Sequence, residues 1–246
     1  MRSVSEKAKI GDNVHIGEFV VIEDSVVIGD NCEISHGVII KKDSIIGANV
    51  RIDENAVIGK RPMRAATSIV TEEKEITPCI IDDGVLVGAG AIIYCGCIVG
   101  KASLIADLAT VRENVTIGEK TIIGRGAAIE NDCIVGSFCK LETNAYITAY
   151  SMLGDHVFIA PGVVTSNDNF AGRTKERLGK LKGVTVEDGG RIGAQATILP
   201  GKTIHEEGFA AAGSIVTKDV EKGMIVAGNP AVFLKKVPDG QLLKNQ

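Results

Sequence analysis

The chain contains no tryptophan, and aromatic residues make up only 4% of its 246 residues. A broad core built from large rings is therefore excluded. Val, Ile and 29 glycines carry the composition, which suits a narrow interior filled by one branched aliphatic at a time. No apolar run reaches the ~18 residues that a membrane-spanning helix needs, and no signal peptide is read at the start, so a cytoplasmic location is expected. The net charge is −4. With no excess of positive charge, nothing global points to nucleic acid or to an anionic membrane. Histidine is scarce: His15, His36, His156 and His205 do not line up for a three-histidine zinc site. Cys95-Gly96-Cys97 lacks a second pair at zinc-site spacing, so no metal is expected.

What the chain has is a repeat. Every sixth residue from Val87 to Ile159 is aliphatic: Val87, Ile93, Val99, Ile105, Val111, Ile117, Ile123, Ile129, Val135, Leu141, Ile147, Leu153, Ile159. A period of six belongs to neither a helix nor a simple strand. It fits a short strand, a turn and another short strand, stacked coil upon coil as a solenoid. The register also runs from Ile10 to Ile58 and returns from Val186 to Val216. Between these runs lie two segments, 60–80 and 166–185, that read as loops extruded from single coils. If three hexads close one triangular turn, the body has about ten coils and a length of roughly 45–50 Å. The expected organisation is one repeat domain over residues 1–230, ended by Pro230, and a tail over 231–246 that covers the open edge of the last coil. Cys32, Cys97, Cys133 and Cys139 sit four residues after a marker aliphatic and read as small buried residues.

The aliphatic-Gly-x-x-x-x repeat and the ending Ala227-Gly228-Asn229-Pro230-Ala231 resemble the hexapeptide-repeat acyltransferases. The resemblance implies an all-β, left-handed parallel β-helix, a homotrimer and an acyl-CoA co-substrate. The handedness rests on the resemblance alone, because general connection rules favour right-handed crossovers. Leu141-Glu142-Thr143-Asn144, Phe158-Ile159-Ala160-Pro161-Gly162 and Thr165-Ser166-Asn167-Asp168 are similar to the nucleotide-sugar N-acetyltransferase branch. That branch implies transfer of an acyl group, acetyl above others, from acyl-CoA to the amine of a nucleotide-linked amino sugar. The alternatives are an O-acetyltransferase on a sugar or small hydroxyl acceptor, and a non-enzymatic β-helix scaffold.

With three hexads per coil, residues 18 apart form columns. Asp107, Arg125, Glu142 and Asn144 then share one edge over three coils, and the second loop is expected to leave that same edge. A reacting amine must be held by acceptors and lose a proton, so Glu142, Asn144 and Asp107 are the candidate catalytic residues. The resemblance implies that Asn144 contacts the amine and that Glu142 holds the sugar. Asp107 and Arg125 read equally well as an ion pair. In the next column Arg112 and Glu130 read first as an ion pair, with Glu130 a reserve base. His156, at an exposed corner, is a second reserve.

Arg125, Asn167, Asp168 and Arg173 are expected at the acceptor substrate, where basic side chains of the second loop meet a pyrophosphate. The resemblance implies that the pantetheine arm lies along later coils, on Gly193, Ala194, Ala212 and Gly213. Lys218 and Lys235 are the candidate contacts to its phosphates.

Overall fold

The computed structural model describes residues 2–63, 65–66 and 76–246. Among the described residues nearly every strand is two residues long, and the strands form three sheets of 11, 10 and 12 strands, parallel except for the last strand of the third. We name the sheets faces A, B and C. Face A begins at Ser3–Val4, face B at Lys9–Ile10 and face C at His15–Ile16. The chain visits A, B and C in turn, so each strand pairs with one 18 residues away, as Leu104 with Ile122 and Ile105 with Ile123. The result is a three-sided parallel β-helix. It is taller than the ten coils expected, because Val4 adds a strand before Ile10, and Met224–Ala227 adds one after Val216.

From the second coil onward a typical hexad buries two side chains. The marker aliphatic points inward, and so does a small residue two positions before it, as in Val20/Ile22, Ala91/Ile93 and Ala127/Ile129. The small positions explain the cysteines. All six are free thiols and all are buried. Cys97, Cys133 and Cys139 donate to the carbonyls of Arg112, Thr148 and Gly154 at 2.8, 3.2 and 3.0 Å. Ser103 and Thr121 do the same to Gly118 and Gly136. Burial pushes the Cys97 and Cys133 thiols up to about 12, so they are inert packing groups.

The turns fix the edges. Their second residue lies in the left-handed region, where glycine costs least and Asn is tolerated. Gly90 (φ 65°), Gly126 (φ 64°) and Gly162 (φ 68°) take this position between faces C and A, and so does Asn144 (φ 58°). His156 (φ 56°) takes it between faces B and C. The residue before it often braces the coil below. The carboxylates of Asp30, Asp83, Asp107 and Asp155 accept from the backbone N–H groups of Asp12, Ala48, Ala89 and Ser137 at 2.7–3.0 Å.

Both loops leave the edge between faces A and B. The first follows Val57–Lys60 on face A and precedes Ile80–Ile81 on face B. Most of that loop, at residues 64 and 67–75, lies outside the described residues. The second follows Val164–Thr165 on face A and rejoins at Thr185–Val186 on face B, with a 3-10 turn at Lys175–Arg177. The tail pairs with the last parallel strand of face C and then runs back along the side of the prism. Val232–Lys236 folds back antiparallel on Met224–Ala227, and Leu243 N–H donates to Glu207 at 2.7 Å. Among the described residues no helix is long and apolar enough to cross a membrane.

Candidate active site

The three expected catalytic residues share one edge, and the two reserves, Glu130 and His156, lie on the other two. Asp107, Arg125, Glu142 and Asn144 share the C–A edge, as the 18-residue columns require. The second loop does not leave there, because Thr165 belongs to face A. The expectation that these residues border the loop is therefore corrected.

Three of the four have turn roles or stand free of one another. Asp107 is exposed and spends its carboxylate on Ala89 N–H, and no ion pair with Arg125 forms. Asn144 is a left-handed turn residue whose carbonyl oxygen lies directly over Gly126, where a Cβ would meet it. Glu142 is half-buried and makes no side-chain hydrogen bond among the described residues. His156 lies on the B–C edge, stacked on Phe138 with ring centroids 5.0 Å apart and planes 5° from parallel. Lys120 stands 5.2 Å over the other side of that phenyl ring. The exposed-corner reading of His156 matches this placement.

The A–B edge carries a second cluster of polar and charged side chains. Five strand spacings on face A separate the roots of the two loops, or roughly 24 Å. The turns between them carry Tyr94, Arg112, Glu113, Glu130, Asn131, Asp132 and Thr148 in stacked positions. The Arg112 guanidinium is the hub. Its Nε and Nη2 donate to Glu113 at 2.8 and 3.0 Å, and its Nη1 donates to Glu130 Oε2 at 3.2 Å. Tyr94 lies under it, 5.0 Å from the guanidinium carbon to the ring centroid. Lys60, at the root of the first loop, donates to the Tyr94 hydroxyl at 3.2 Å. Glu130 is half-buried. Burial raises its pKa, the Arg112 charge opposes this, and the Glu113 charge adds to it, leaving Glu130 above the usual carboxylate value. Tyr146, on face A one coil above, is also raised, first by burial and then by the Glu130 charge. The ion pair expected between Arg112 and Glu130 is present, and Arg112 shares its guanidinium with Glu113.

The second loop is built around Asp168. One carboxylate oxygen accepts from Phe170 N–H at 2.8 Å, and the other accepts from Gly172 N–H at 2.9 Å and Arg177 Nη1 at 2.8 Å. These bonds hold Asp168 below the ordinary aspartate range, the two backbone donors contributing most. Asp168 is thus the knot of the loop. Asn167 accepts from Lys182 N–H through its backbone carbonyl at 3.0 Å, and its side chain is half-buried beside the same edge. Arg173 is exposed.

The residues expected at the co-substrate divide in the same way. Gly193, Ala194, Ala212 and Gly213 stack on the C–A edge above Asn144. Gly193 has no room for a Cβ against the Ala212 backbone, whereas Gly213 (φ 67°) faces open space. Lys218 lies at the top of the A–B edge, and Lys235 lies on the returning tail strand. Shallow grooves elsewhere are lined by other residues, one by Val4, Val21 and Lys42, the other on face B by Ile134, Met152 and Glu187.

The sequence offered Glu130 only as a reserve and did not single out Glu113 or Lys60, which the structure brings to the same cluster. The signal for the edge was available. Thr165 falls 18, 36 and 54 residues after Ile147, Ile129 and Val111, so the loop exit shares their column. Nothing in the spacing marks Glu113 as buried.

Residues 7–42 and 25–60 match the family model of the bacterial transferase hexapeptide (six repeats). This part of the chain carries the hexapeptide repeat. The chain is 43% identical over 63 residues to a 2,3,4,5-tetrahydropyridine-2,6-dicarboxylate N-acetyltransferase of Staphylococcus aureus (strain JH9), a match covering 26% of this chain and 26% of that protein. The match thus spans about a quarter of the length of that relative. The solved UDP-N-acetylglucosamine acyltransferase of Francisella novicida superimposes with a TM-score of 0.51 at 22% identity, over 95% of this chain and 67% of that chain. The fold is that of the hexapeptide-repeat acyltransferases, as the repeat implied.

Proposed function

We propose that the protein is an acyl-CoA-dependent N-acyltransferase, with acetyl the group transferred, and that its acceptor binds at the A–B edge between the two loops. The observation that carries the reading is Glu130: a half-buried carboxylate held by Arg112 at 3.2 Å on the edge from which both loops leave, its pKa raised by burial. The hexapeptide repeat and the likeness to an N-acetyltransferase support the reaction class.

The reaction needs an amine nitrogen to attack the thioester carbonyl carbon. A C–N bond forms, the C–S bond breaks, the thiolate leaves, and the amine sheds a proton. Glu130 is placed to accept that proton, and its raised pKa makes it a better acceptor than a surface carboxylate. The finer reading is a nucleotide-linked amino sugar. The second loop supports it with Arg173, Lys175, Lys180 and Lys182 above Glu130, side chains suited to a pyrophosphate.

The small residues Gly193, Ala194, Ala212 and Gly213 suit close approach of a pantetheine arm, but they lie on the C–A edge. Within one chain, face A separates them from Glu130. A second parallel copy brings the C–A edge of one prism to the A–B edge of the next. A homotrimer of cytoplasmic location therefore completes three equivalent sites, with Lys218 and Lys235 near the outer ends of the clefts.

Steady-state kinetics on folded variants tests the reading. Glu130→Gln should lower kcat/KM for the acceptor by about 10²–10⁴, whereas Asp107→Asn and His156→Ala should change it only a few-fold. Near-wild-type activity of Glu130→Gln overturns the assignment. One observation favours a second reading. The Glu142 carboxylate has no partner among the described residues, so loss of activity in Glu142→Gln and not in Glu130→Gln would move the site to the C–A edge.

A further inference from the structure

Glu113 occupies a turn position that is buried in the coils on either side, as Cys95, Asn131 and Ala149, and its own side chain is only 5% accessible. Burying a carboxylate costs free energy unless a partner compensates it. Here the compensation is the Arg112 guanidinium, gripped through two nitrogens. That fork-to-fork geometry is the strongest an arginine can make. It leaves one nitrogen, Nη1, for Glu130, at the longest distance of the three contacts. Tyr94 lies against the guanidinium and limits its rotation.

We propose that Glu113 is a positioning residue: it anchors the Arg112 guanidinium and neutralises most of its charge, so that Glu130 is oriented by Nη1 without being locked into a full salt bridge. The proposal rests on the reading of Glu130 as the proton acceptor. A full Arg112–Glu130 salt bridge would make Glu130 a weak base and remove it from the acceptor amine. A Glu130 with no donor at all would be free to rotate. Sharing Arg112 between an anchoring carboxylate and a reacting one avoids both.

The groups facing Glu130 are few. Arg112 and Glu113 approach from the coil below, with Lys60 beyond Tyr94. Asp132 lies on its own turn. Tyr146 and Thr148 stand in the coil above, and Cys133 lies inside. Arg112 and Glu113 are the charges that act on it, with opposite sign. Removing the Glu113 charge leaves Arg112 uncompensated, so the carboxylate form of Glu130 is favoured and its titration must move down.

The experiment follows Glu130 directly by carboxyl-carbon NMR in protein labelled at glutamate, its signal assigned by its loss in Glu130→Gln, alongside the pH profile of kcat/KM. In Glu113→Gln the Glu130 titration and the acid limb of the profile should both fall by about one pH unit. Glu113→Asp keeps the charge and should return both towards wild type. An unmoved titration in folded Glu113→Gln overturns the proposal. If Glu113→Gln does not fold, Arg112→Gln tests the same arrangement, because the Glu113 charge then faces Glu130 alone. Its titration must rise, and an unchanged value overturns the proposal equally. If instead Glu130→Gln is fully active while the NMR titration moves as stated, the proton-acceptor role fails and the charge relationship stands.

Discussion

Arg112 Nη1 lies 3.2 Å from Glu130 Oε2, one coil below it on the edge from which both loops emerge. The contact is made across a single strand spacing, so the geometry of the β-helix sets it and no loop has to close to create it. Pre-set geometry of this kind suits a proton acceptor, whose efficiency depends on distance before strength.

The pH dependence follows from the direction of the Glu130 shift. Only the carboxylate form accepts a proton, and burial raises the pKa above its ordinary value of 4.5. Activity should therefore fall as pH drops through a value above the usual glutamate range. In Glu130→Gln that acid limb should vanish from the kcat/KM profile. For stability the sign is reversed. The folded state binds this proton more tightly than the unfolded chain does, so the contribution is present below the unfolded pKa and is lost as pH rises through the folded one.

Asp168 gives the opposite case. Two backbone N–H groups and Arg177 hold its carboxylate below the ordinary value of 3.8. Its ordering of the second loop is present above the unfolded pKa and should fade as pH falls through the lower folded one. Asp168→Asn keeps an acceptor for one N–H but loses the charge that holds Arg177. Trypsin should then cut at Arg173 or Lys175 faster in Asp168→Asn than in the wild-type protein at neutral pH. Equal cleavage rates would show that the loop is held elsewhere.

Asp107→Asn separates the turn role from a catalytic one. The carboxylate accepts from Ala89 N–H at 3.0 Å and faces no partner across the edge. The variant should melt a few degrees lower while kcat and KM stay near wild type. A large fall in kcat at unchanged melting temperature would restore Asp107 to the site.

How much of this was legible in the sequence can be seen at particular residues. Ile105, Ile123, Leu141 and Ile159 stack on face C as the six-residue register required, because one inward side chain per strand leaves no freedom of phase. The buried thiols followed from the same register. The site was harder to see. Asn144 and His156 look like functional polar residues in a list, but each fills a left-handed turn position that the backbone demands. Asp107 looks catalytic but braces the coil below. Glu113 was hard to see for the opposite reason: it shares a buried turn position with Cys95, Asn131 and Ala149, but the fork to Arg112 that compensates a carboxylate there is a side-chain arrangement that spacing does not encode.

The last prediction concerns assembly. The marker aliphatics point inward, but on face B the residue before the marker is also apolar in six of the seven strands from Val27 to Met152. Val27, Ile45, Ile80, Ile98, Ile134 and Met152 stand outward in register, each 36–55% exposed, with Thr116 the one polar step in that row. Six spacings make this strip roughly 29 Å long, and a continuous exposed apolar strip on this scale marks a contact surface. Face C is interrupted by Glu33, Arg51, Lys140 and Arg191 at the equivalent positions, and the apolar row of face A, Val21, Ile39, Val57 and Ile92, is only partly exposed, which leaves face B the better surface for a neighbouring copy. Ile134 is near the middle of the loop interval, where two prisms must meet for a shared site. Ile134→Glu puts a charge into that contact without touching the interior, so the β-helix should fold and the trimer should dissociate. Sedimentation velocity and circular dichroism on the same sample check both halves. A variant that sediments with the wild-type protein removes face B from the interface, and a wild-type protein that is active as a monomer removes the trimer.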